Sequence, residues 1–186
     1  CRSLFGGFVL WDQGSQDDGS DSYARELLAP QAWDLRMLVA VVSDQKKAVG
    51  STTGMLRSEK TSPYYKPWVA TATDDVQAAC TAIAARDLQT LGAIMEHSTF
   101  KMHAVMQTSQ PPLLYWQPNT LACIHAVWQL REQGIGAWLT MDAGPNVKVL
   151  CAPSDAAVVE QALAPHAKSV AVLEPAQGAR LVGGNP

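Results

Sequence analysis

Two apolar segments joined by a Gly-Pro-Asn sequence restrict the fold of this chain more than any other stretch. Residues 139–150 read Leu-Thr-Met-Asp-Ala-Gly-Pro-Asn-Val-Lys-Val-Leu. Gly, Pro and Asn favour tight turns, so the pattern predicts two strands with a short connection between them. Asp142 follows the first strand, and two interpretations of it stay open. Its carboxylate points into a cleft above the sheet edge, or it caps the turn through its own side chain.

Apolar spacing predicts the other elements. Residues 35–43 form a continuous β-branched and aliphatic run, which is typical of a strand buried on both faces. Residues 22–28 are expected to form a short helical turn, and residues 169–173 a last strand. The helices are expected to begin at or near polar residues, namely Asp74 or Asp75, Asp87, Asn119, and Ser154 or Asp155. The helix near Asn119 is expected to carry four side chains on or beside its inner stripe: Leu121, Ile124, Trp128 and Arg131.

The predicted elements follow the order strand, helices, strand, strand, helix and strand. This is the order of a split β-α-β arrangement, so we predict an α/β (α+β sandwich) fold of the ferredoxin-like type with extra helices. The right-handed crossover rule then places the helices on one face of a four-stranded antiparallel sheet. The opposite face must also be covered, either by the segment before residue 34 or by a part of the protein outside this chain.

Composition limits the class of protein. Hydrophobic residues make up 47% and charged residues 17% of the chain, which predicts a globular core and not a disordered segment. The formal net charge of −3 gives no reason to expect a nucleic-acid partner. No apolar run reaches the length of a membrane span, and no signal peptide is recognised. The cysteines are widely spaced and the histidines lack metal-ligand spacing, which argues against a metal site and favours free thiols in a reducing cytoplasm.

Polar side chains with two possible roles lie in three places. Residues 44–55 combine two lysines, glycines and hydroxyl side chains directly after the first long apolar run. Ser51 and Thr52 are expected to begin a helix, where they either help backbone N–H groups to hold an anion or form an ordinary cap. Arg2 lies among apolar residues, where it pairs inside the protein or binds a carboxylate or phosphate of a ligand. His103 is interpreted as a packing histidine in preference to a ligand.

Several stretches, in the same order along the chain, resemble the diphosphomevalonate decarboxylase family of the GHMP kinase superfamily. They are Cys-Arg-Ser-Leu-Phe-Gly-Gly-Phe (residues 1–8), Asp-Gly-Ser-Asp-Ser-Tyr-Ala (18–24), Lys-Lys (46–47) with Gly-Ser-Thr-Thr-Gly-Met (50–55), Phe-Lys-Met-His-Ala (100–104) with Pro111, Pro112 and Tyr115, and Met-Asp-Ala-Gly-Pro-Asn (141–146). The Asp-Ala-Gly-Pro-Asn sequence is quite specific, since related kinases usually carry a Gly-rich loop there. The chain departs from the family at its start, which lies inside the first motif.

The resemblance implies an ATP-dependent decarboxylase of isoprenoid biosynthesis that converts mevalonate 5-diphosphate to isopentenyl diphosphate, ADP, phosphate and CO2. It implies that Arg2 holds the substrate carboxylate and that Asp142 lies beside the tertiary hydroxyl, as base or as orienting group. It further implies that Gly50, Ser51 and Thr52 lie near the substrate diphosphate. The implied cofactors are ATP and Mg²⁺, with the ATP site in an N-terminal half that is absent from this chain.

The same resemblance divides the chain into three parts. Residues 1–33 are the tail end of an N-terminal ATP-binding domain, residues 34–175 a GHMP kinase C-terminal-type substrate domain, and residues 176–186 a flexible tail. The expected protein is cytoplasmic, binds no nucleic acid or membrane, and has a homodimer among its possible assemblies. Two alternatives stay open: a sister GHMP kinase or monophosphate decarboxylase, and a non-catalytic ferredoxin-like module that binds a small ligand.

Overall fold

The computed structural model describes residues 4–180, so Arg2 lies outside the described residues. Its strands are β1 (Phe8–Trp11), β2 (Ala24–Leu28), β3 (Arg36–Val41), β4 (Ala137–Thr140), β5 (Val147–Cys151) and β6 (Ser169–Leu173). Its α-helices are α1 (Ser51–Thr61), α2 (Tyr65–Ala85), α3 (Leu88–Gln107), α4 (Pro118–Glu132) and α5 (Ala156–Leu163). No helix within residues 4–180 is long and apolar enough to cross a membrane.

Four strands form the main sheet in the order β4-β5-β3-β6, and all neighbours are antiparallel. The connection between β3 and β4 contains α1 to α4, and the connection between β5 and β6 contains α5. The predicted four-stranded antiparallel sheet and the ferredoxin-like order of elements are therefore confirmed. The predicted turn within residues 139–150 joins β4 to β5. It forms where glycine, proline and asparagine interrupt the two apolar strands.

The two faces of the sheet bury different helices. One face packs against α4 and α5, and its core includes Leu38 and Val149, both fully buried. The opposite face packs Leu35 and Leu150 against Ala82 of α2 and other apolar side chains of α2 and α3. The expectation of helices on one face only is therefore wrong. The crossover rule constrains the hand of a connection, but this connection is long enough for α2 and α3 to cover the second apolar face.

Residues 22–28 do not form the predicted helical turn, since residues 24–28 are instead the strand β2, which pairs with β1 as an antiparallel ribbon. An ion pair between Arg25 Nε and Asp12 Oδ2, 2.7 Å apart, joins the two strands near their turn. Phe8 of β1 stacks on Trp33 at a centroid distance of 5.4 Å, which attaches the ribbon to the core beneath α2. Pairing with β1 is a contact between segments that local spacing does not encode, so it overrides a weak helical signal.

The predicted helix starts are correct at Asp87 and wrong in α2. Asp87 caps α3, since its Oδ1 accepts a hydrogen bond from the Thr90 backbone N–H at 3.0 Å. Helix α2 begins at Tyr65, well before Asp74 and Asp75, because Pro67 is compatible with a first helical turn. Asp75 lies inside the helix and accepts an ion-pair hydrogen bond from Lys101.

Helix α4 covers the predicted residues, but its inner stripe differs from the predicted one. Leu121 and Trp128 are exposed, with 44% and 37% of their surface accessible. The buried stripe consists of Thr120, Cys123, Ile124, Ala126, Val127 and Leu130. Of the four predicted side chains only Ile124 lies in the core, because the contacts with the sheet and α5 decide the rotation of the helix about its axis.

Residues 174–180 carry no helix or strand, and part of this segment lies against the start of the described chain. The Gly7 backbone N–H donates to the Ala176 carbonyl at 3.0 Å. A Cβ at Gly6 would lie 2.7 Å from the same carbonyl oxygen, so this approach requires glycine. The first residues after β6 are therefore held beside residues 6 and 7.

Candidate active site around Asp142

The loop between β4 and β5 presents Asp142 from an otherwise largely buried segment. Met141, Ala143, Gly144 and Pro145 are buried, whereas the Asp142 side chain is 69% exposed. Thr120 Oγ1, at the start of α4, donates to the Pro145 carbonyl at 2.8 Å. Asn146 Oδ1 accepts hydrogen bonds from the backbone N–H groups of Val42 (2.9 Å) and Ser43 (3.0 Å). These long-range bonds hold the second half of the loop to α4 and to the end of β3.

Two contacts of the Asp142 carboxylate bear on its alternative interpretations. The Gly144 backbone N–H lies 3.4 Å from Oδ1, which is the contact of a turn former at the outer limit of hydrogen bonding. Lys148 Nζ lies 3.4 Å from Oδ2. Neither contact is short, and most of the carboxylate surface is open to a ligand. The Asp142 carboxylate thus makes only a weak turn contact and stays accessible, on a loop that long-range hydrogen bonds hold in place.

Nearby positive charges lower the pKa of the Asp142 carboxyl group. Partial burial acts to raise its pKa, but the charge of Lys148, the Gly144 N–H and the charge of Lys47 together lower the pKa below its ordinary value. Lys47 Nζ also lies 5.7 Å from the centre of the Tyr115 ring. The candidate site therefore contains one carboxylate and two lysines from separate segments of the chain.

Helix α1 begins at Ser51, as the hydroxyl-rich sequence predicts. Its cap residue is Gly50, in extended conformation, and no side chain caps the helix. Ser51 and Thr52 occupy the first turn and are exposed. The unbonded N–H groups of a first helical turn favour an anion. This arrangement agrees with the anion-holding interpretation.

Tyr115 connects α1 with the Asp142 loop. A Cβ placed on Gly54 would lie 2.6 Å from the Tyr115 hydroxyl, so glycine is needed for α1 to approach this closely. On its other side, Tyr115 Cβ lies 3.7 Å from the Cβ position of Gly144. Helix α1 and the Asp142 loop therefore lie near opposite ends of the Tyr115 side chain.

A cavity of about 330 Å³ opens beside this ring. The charged side chains that line it are Lys46, Lys47 and Arg57, and no carboxylate is among its lining residues. Such a cavity suits an anion. Within residues 4–180, no group of three or more His, Cys, Asp or Glu side chains could hold a metal ion.

The predicted site residues Asp142, Ser51 and Thr52 lie on two elements, the loop after β4 and the first turn of α1, and the structure places further charged side chains around them. The charge of Lys47 lowers the pKa of Asp142, and Lys47 lies over the Tyr115 ring. The Tyr115 side chain lies near both α1 and the Asp142 loop. Lys148 was not predicted as a site residue. A signal for it exists in the sequence, because Lys148 pairs with Thr140 in the hairpin, and Asp142 follows Thr140 by two residues. Arg57 was also missed, and its spacing from the other cations gives no comparable signal.

Comparison with known proteins relates this site to a family. The family model of the mevalonate 5-diphosphate decarboxylase C-terminal domain matches residues 37–177. The diphosphomevalonate decarboxylase of Ganoderma lucidum is 36% identical over 157 residues, which cover 80% of this chain and 39% of that protein. The human diphosphomevalonate decarboxylase is 36% identical over 155 residues, which cover 80% of this chain and 38% of that protein. The chain thus spans about 40% of the length of the curated relatives it matches.

Solved structures agree with this relationship. A complex of a protein called MDDEF with MVAPP, AMPPCP and magnesium has a TM-score of 0.87 and 34% identity, over 96% of this chain and 55% of that one. Mevalonate diphosphate decarboxylase from Staphylococcus aureus has a TM-score of 0.85 and 31% identity, over 95% of this chain and 54% of that one. From residue 37 to residue 177, the chain belongs to the family of mevalonate 5-diphosphate decarboxylase C-terminal domains.

Proposed function

We propose that this chain is the C-terminal part of an ATP-dependent decarboxylase that converts mevalonate 5-diphosphate to isopentenyl diphosphate, ADP, phosphate and CO2. The observation that carries the proposal is the exposed, ionised Asp142 on a held loop, with Lys148 and Lys47 beside it. The relatives named diphosphomevalonate decarboxylase support it, as does the similarity to a protein that binds MVAPP and AMPPCP together.

Asp142 is proposed to act on the tertiary hydroxyl of the substrate. A phosphoryl transfer with a loose transition state needs little early deprotonation of the attacking oxygen. A carboxylate with a lowered pKa is a weak base but a good hydrogen-bond acceptor. These properties favour a carboxylate that orients the hydroxyl oxygen toward the phosphorus and takes its proton late.

The charged groups of the substrate are assigned to other residues. We propose that Gly50, Ser51 and Thr52 bind the diphosphate through first-turn N–H groups and hydroxyls. Arg2 is proposed to hold the carboxylate in a planar two-point contact. A cation that stabilises the carboxylate charge opposes loss of CO2, so its proposed role is orientation and not acceleration of that step.

ATP and Mg²⁺ are the proposed cofactors, by analogy with the MDDEF complex. Residues 4–180 contain no carboxylate cluster for Mg²⁺, so no step is assigned to a metal ligand of this chain. We propose that ATP and Mg²⁺ bind in a region of the protein that corresponds to the part of the relatives outside the match with this chain. When bound, they supply the phosphoryl group and the charge that stabilises its transfer.

We propose that residues 1–33 complete an N-terminal ATP-binding domain, that residues 34–175 form the substrate domain, and that residues 176–186 are a tail.

A cytoplasmic location is supported by the free thiols of Cys80, Cys123 and Cys151. The net charge of −3 speaks against a nucleic-acid partner. The proposed assembly is a homodimer, which light scattering of the full-length protein tests: a mass equal to one chain contradicts it.

Product analysis tests the function. The full-length protein is incubated with ATP, Mg²⁺ and mevalonate 5-diphosphate that carries ¹⁴C in its carboxylate, and released CO2 and ADP are counted. A decarboxylase releases both in equal amounts, whereas a kinase releases ADP without CO2. A monophosphate decarboxylase prefers mevalonate 5-phosphate in the same assay. Absence of both products contradicts the proposal and favours a binding module.

A further inference from the structure

A buried polar pair lies directly beneath the Asp142 loop. The indole Nε1–H of Trp116 donates to Nδ1 of His103 at 2.9 Å, and the two ring centres are 5.1 Å apart. His103 belongs to α3 and only 2% of its surface is exposed. Trp116 also lies beside the loop, since its Cδ1 is 3.6 Å from the point that a Cβ added to Gly144 would occupy. The pair therefore joins α3 to the loop that carries Asp142.

The tautomer of His103 follows from this hydrogen bond. An indole N–H can only donate, so Nδ1 of the imidazole must carry the lone pair. The proton of the neutral ring is then on Nε2. Burial lowers the pKa of His103 to about 4, against the opposing effect of Asp142, so the ring is neutral near pH 7. His103 thus presents a single N–H group on its Nε2 side.

That N–H group has no partner among residues 4–180, although Nε2 is fully buried. Buried donors without an acceptor are rare in native proteins. The backbone and the carboxylate of Asp142 are the two groups that act to raise the pKa of His103, so Asp142 is close to the imidazole. The second half of the loop is already held by Thr120 and Asn146. The backbone of Asp142 itself lacks an equivalent bond from a side chain in the described part of the chain.

We propose that His103 is a positioning residue for Asp142, which its Nε2–H holds by donating to the Asp142 backbone carbonyl once the substrate occupies the site. This inference rests on the proposed function. Trp116 fixes the donor direction by occupying Nδ1, and α3 fixes the ring. The carboxylate of Asp142 then keeps one direction relative to the hydroxyl it serves. His103 touches no reacting atom in this scheme and acts only through Asp142.

Kinetics of the full-length protein separate positioning from packing. His103→Leu is expected to lower kcat roughly 10- to 100-fold with little change in KM, because a small displacement of a positioned group can cost about 10²-fold. His103→Gln is expected to recover most of the loss, since an amide accepts from Trp116 and donates on its other side. His125→Gln, at an exposed histidine of α4, is the matched control and should leave kcat unchanged. Normal kcat in His103→Leu overturns the proposal.

A double-mutant cycle tests the connection to Asp142. If His103 acts only through that carboxylate, Asp142→Asn with His103→Leu has the same kcat as Asp142→Asn alone. Two losses that multiply fully overturn the proposal. A merely structural role lowers thermal stability in both backgrounds by the same amount and predicts no such dependence in kcat.

NMR of the substrate-bound full-length protein provides a test that does not require turnover. ¹⁵N labelling of histidine should show His103 as the neutral ring with its proton on Nε2. The ¹³C signal of the Asp142 backbone carbonyl should shift in His103→Leu and return toward its original position in His103→Gln. A proton on Nδ1, or an unchanged carbonyl signal, overturns the proposal even if the wild-type protein releases CO2. If no CO2 is released, the proposed function fails and these signals still decide the role of the imidazole.

Discussion

Individual residues around Asp142 divide into those that hold the loop and those that set its charge. Asn146 and Thr120 hold the backbone through bonds of 2.8 to 3.0 Å. Lys148 and Lys47 act on the carboxylate and lower its pKa against the effect of burial. Structural and chemical roles therefore fall on different side chains, so substitutions can test them separately.

Asp142→Asn keeps the shape of the side chain and removes its charge and basic oxygen. One positioned acid–base group is worth about 10²–10⁴-fold, so kcat of the full-length protein should fall by that range. Substrate Kd and Tm should stay close to wild type, because the Gly144 contact at 3.4 Å is weak. Asp17→Asn, in an exposed loop, is the control. Lower Tm with near-normal kcat would mean that Asp142 is only a turn former.

Lys148→Gln should raise the pKa of Asp142. Lys148 lowers this pKa in the folded protein, so its removal lets the carboxyl group take up a proton at higher pH. Titration of the ¹³C-carboxyl signal between about pH 2 and 6 measures the change. Lys168→Gln is matched in chemistry, but it should raise the pKa of Asp44, its hydrogen-bond partner, and leave Asp142 unchanged. Equal Asp142 titration curves for Lys148→Gln and wild type would contradict the assigned cause.

Ser51→Ala tests the first turn of α1. Loss of a charge-assisted hydrogen bond to a diphosphate should weaken substrate binding by about 1–3 kcal/mol. KM of the full-length protein should rise and kcat should change less. The exposed Ser154, which precedes α5, provides the control Ser154→Ala. An unchanged KM would indicate that Ser51 serves only the helix.

At the scale of helices and strands, an ion pair between Glu96 and Arg131 joins α3 to α4 beside β4. Arg131 forms two hydrogen bonds to the Glu96 carboxylate, at 2.7 and 2.8 Å, and its guanidinium lies 4.5 Å from the centre of the Trp138 ring. Glu96 also accepts from the Leu139 backbone N–H at 3.2 Å. A two-point contact of this kind fixes orientation as well as distance. The strand that leads into the Asp142 loop is thereby tied to both helices.

Gly92→Ala should destabilise the contact between α3 and β4. The added Cβ would overlap the Trp138 ring, which Arg131 holds in place. Overpacking costs about 1–3 kcal/mol, more than the gain of about 1 kcal/mol for alanine over glycine in a helix. Tm should fall by about 2–4 °C for each kcal/mol. Gly136→Ala, where the nearest heavy atom is 4.0 Å away, should leave Tm nearly unchanged. An equal Tm for both variants would contradict this packing.

At the scale of the whole molecule, the described site offers cations and one carboxylate but no group of three or more metal-ligating side chains. The cavity beside Tyr115 carries Lys46, Lys47 and Arg57, and residues 4–180 contain no metal-binding cluster. The chain also spans only 39% of the Ganoderma lucidum relative. A phosphoryl transfer needs donors around the phosphates of ATP as well as a positioned acceptor. We propose that these residues serve the acceptor side of the reaction.

The purified chain of 186 residues is therefore expected not to turn over ATP. Its substrate elements should fold, because both faces of the sheet are covered by helices of the chain itself. Coupled detection of ADP with mevalonate 5-diphosphate present measures turnover, and circular dichroism checks folding. A full-length relative is the positive control. Robust ATP-dependent product formation by the chain alone would refute this prediction.

Local patterns in the sequence determined the parts of the fold that depend on neighbouring residues. The turn between β4 and β5, the strand β3, the cap at Asp87 and the start of α1 were predicted because turn residues, apolar runs and cap residues act within a few positions. The position of Asp142 just after β4 followed from the same pattern. The residues that encode these features lie within the features themselves or next to them in the sequence.

Tertiary structure decided what depends on segments far apart in the chain. The pairing of β2 with β1, the burial of α2 and α3 on the second face, and the rotation of α4 result from contacts across many residues. The same holds for the Lys148 charge beside Asp142 and for the Nε2–H of His103, which has no partner within residues 4–180. Spacing along one segment carries little information about such contacts, because the free energy of burial depends on which surfaces meet and not on local sequence alone.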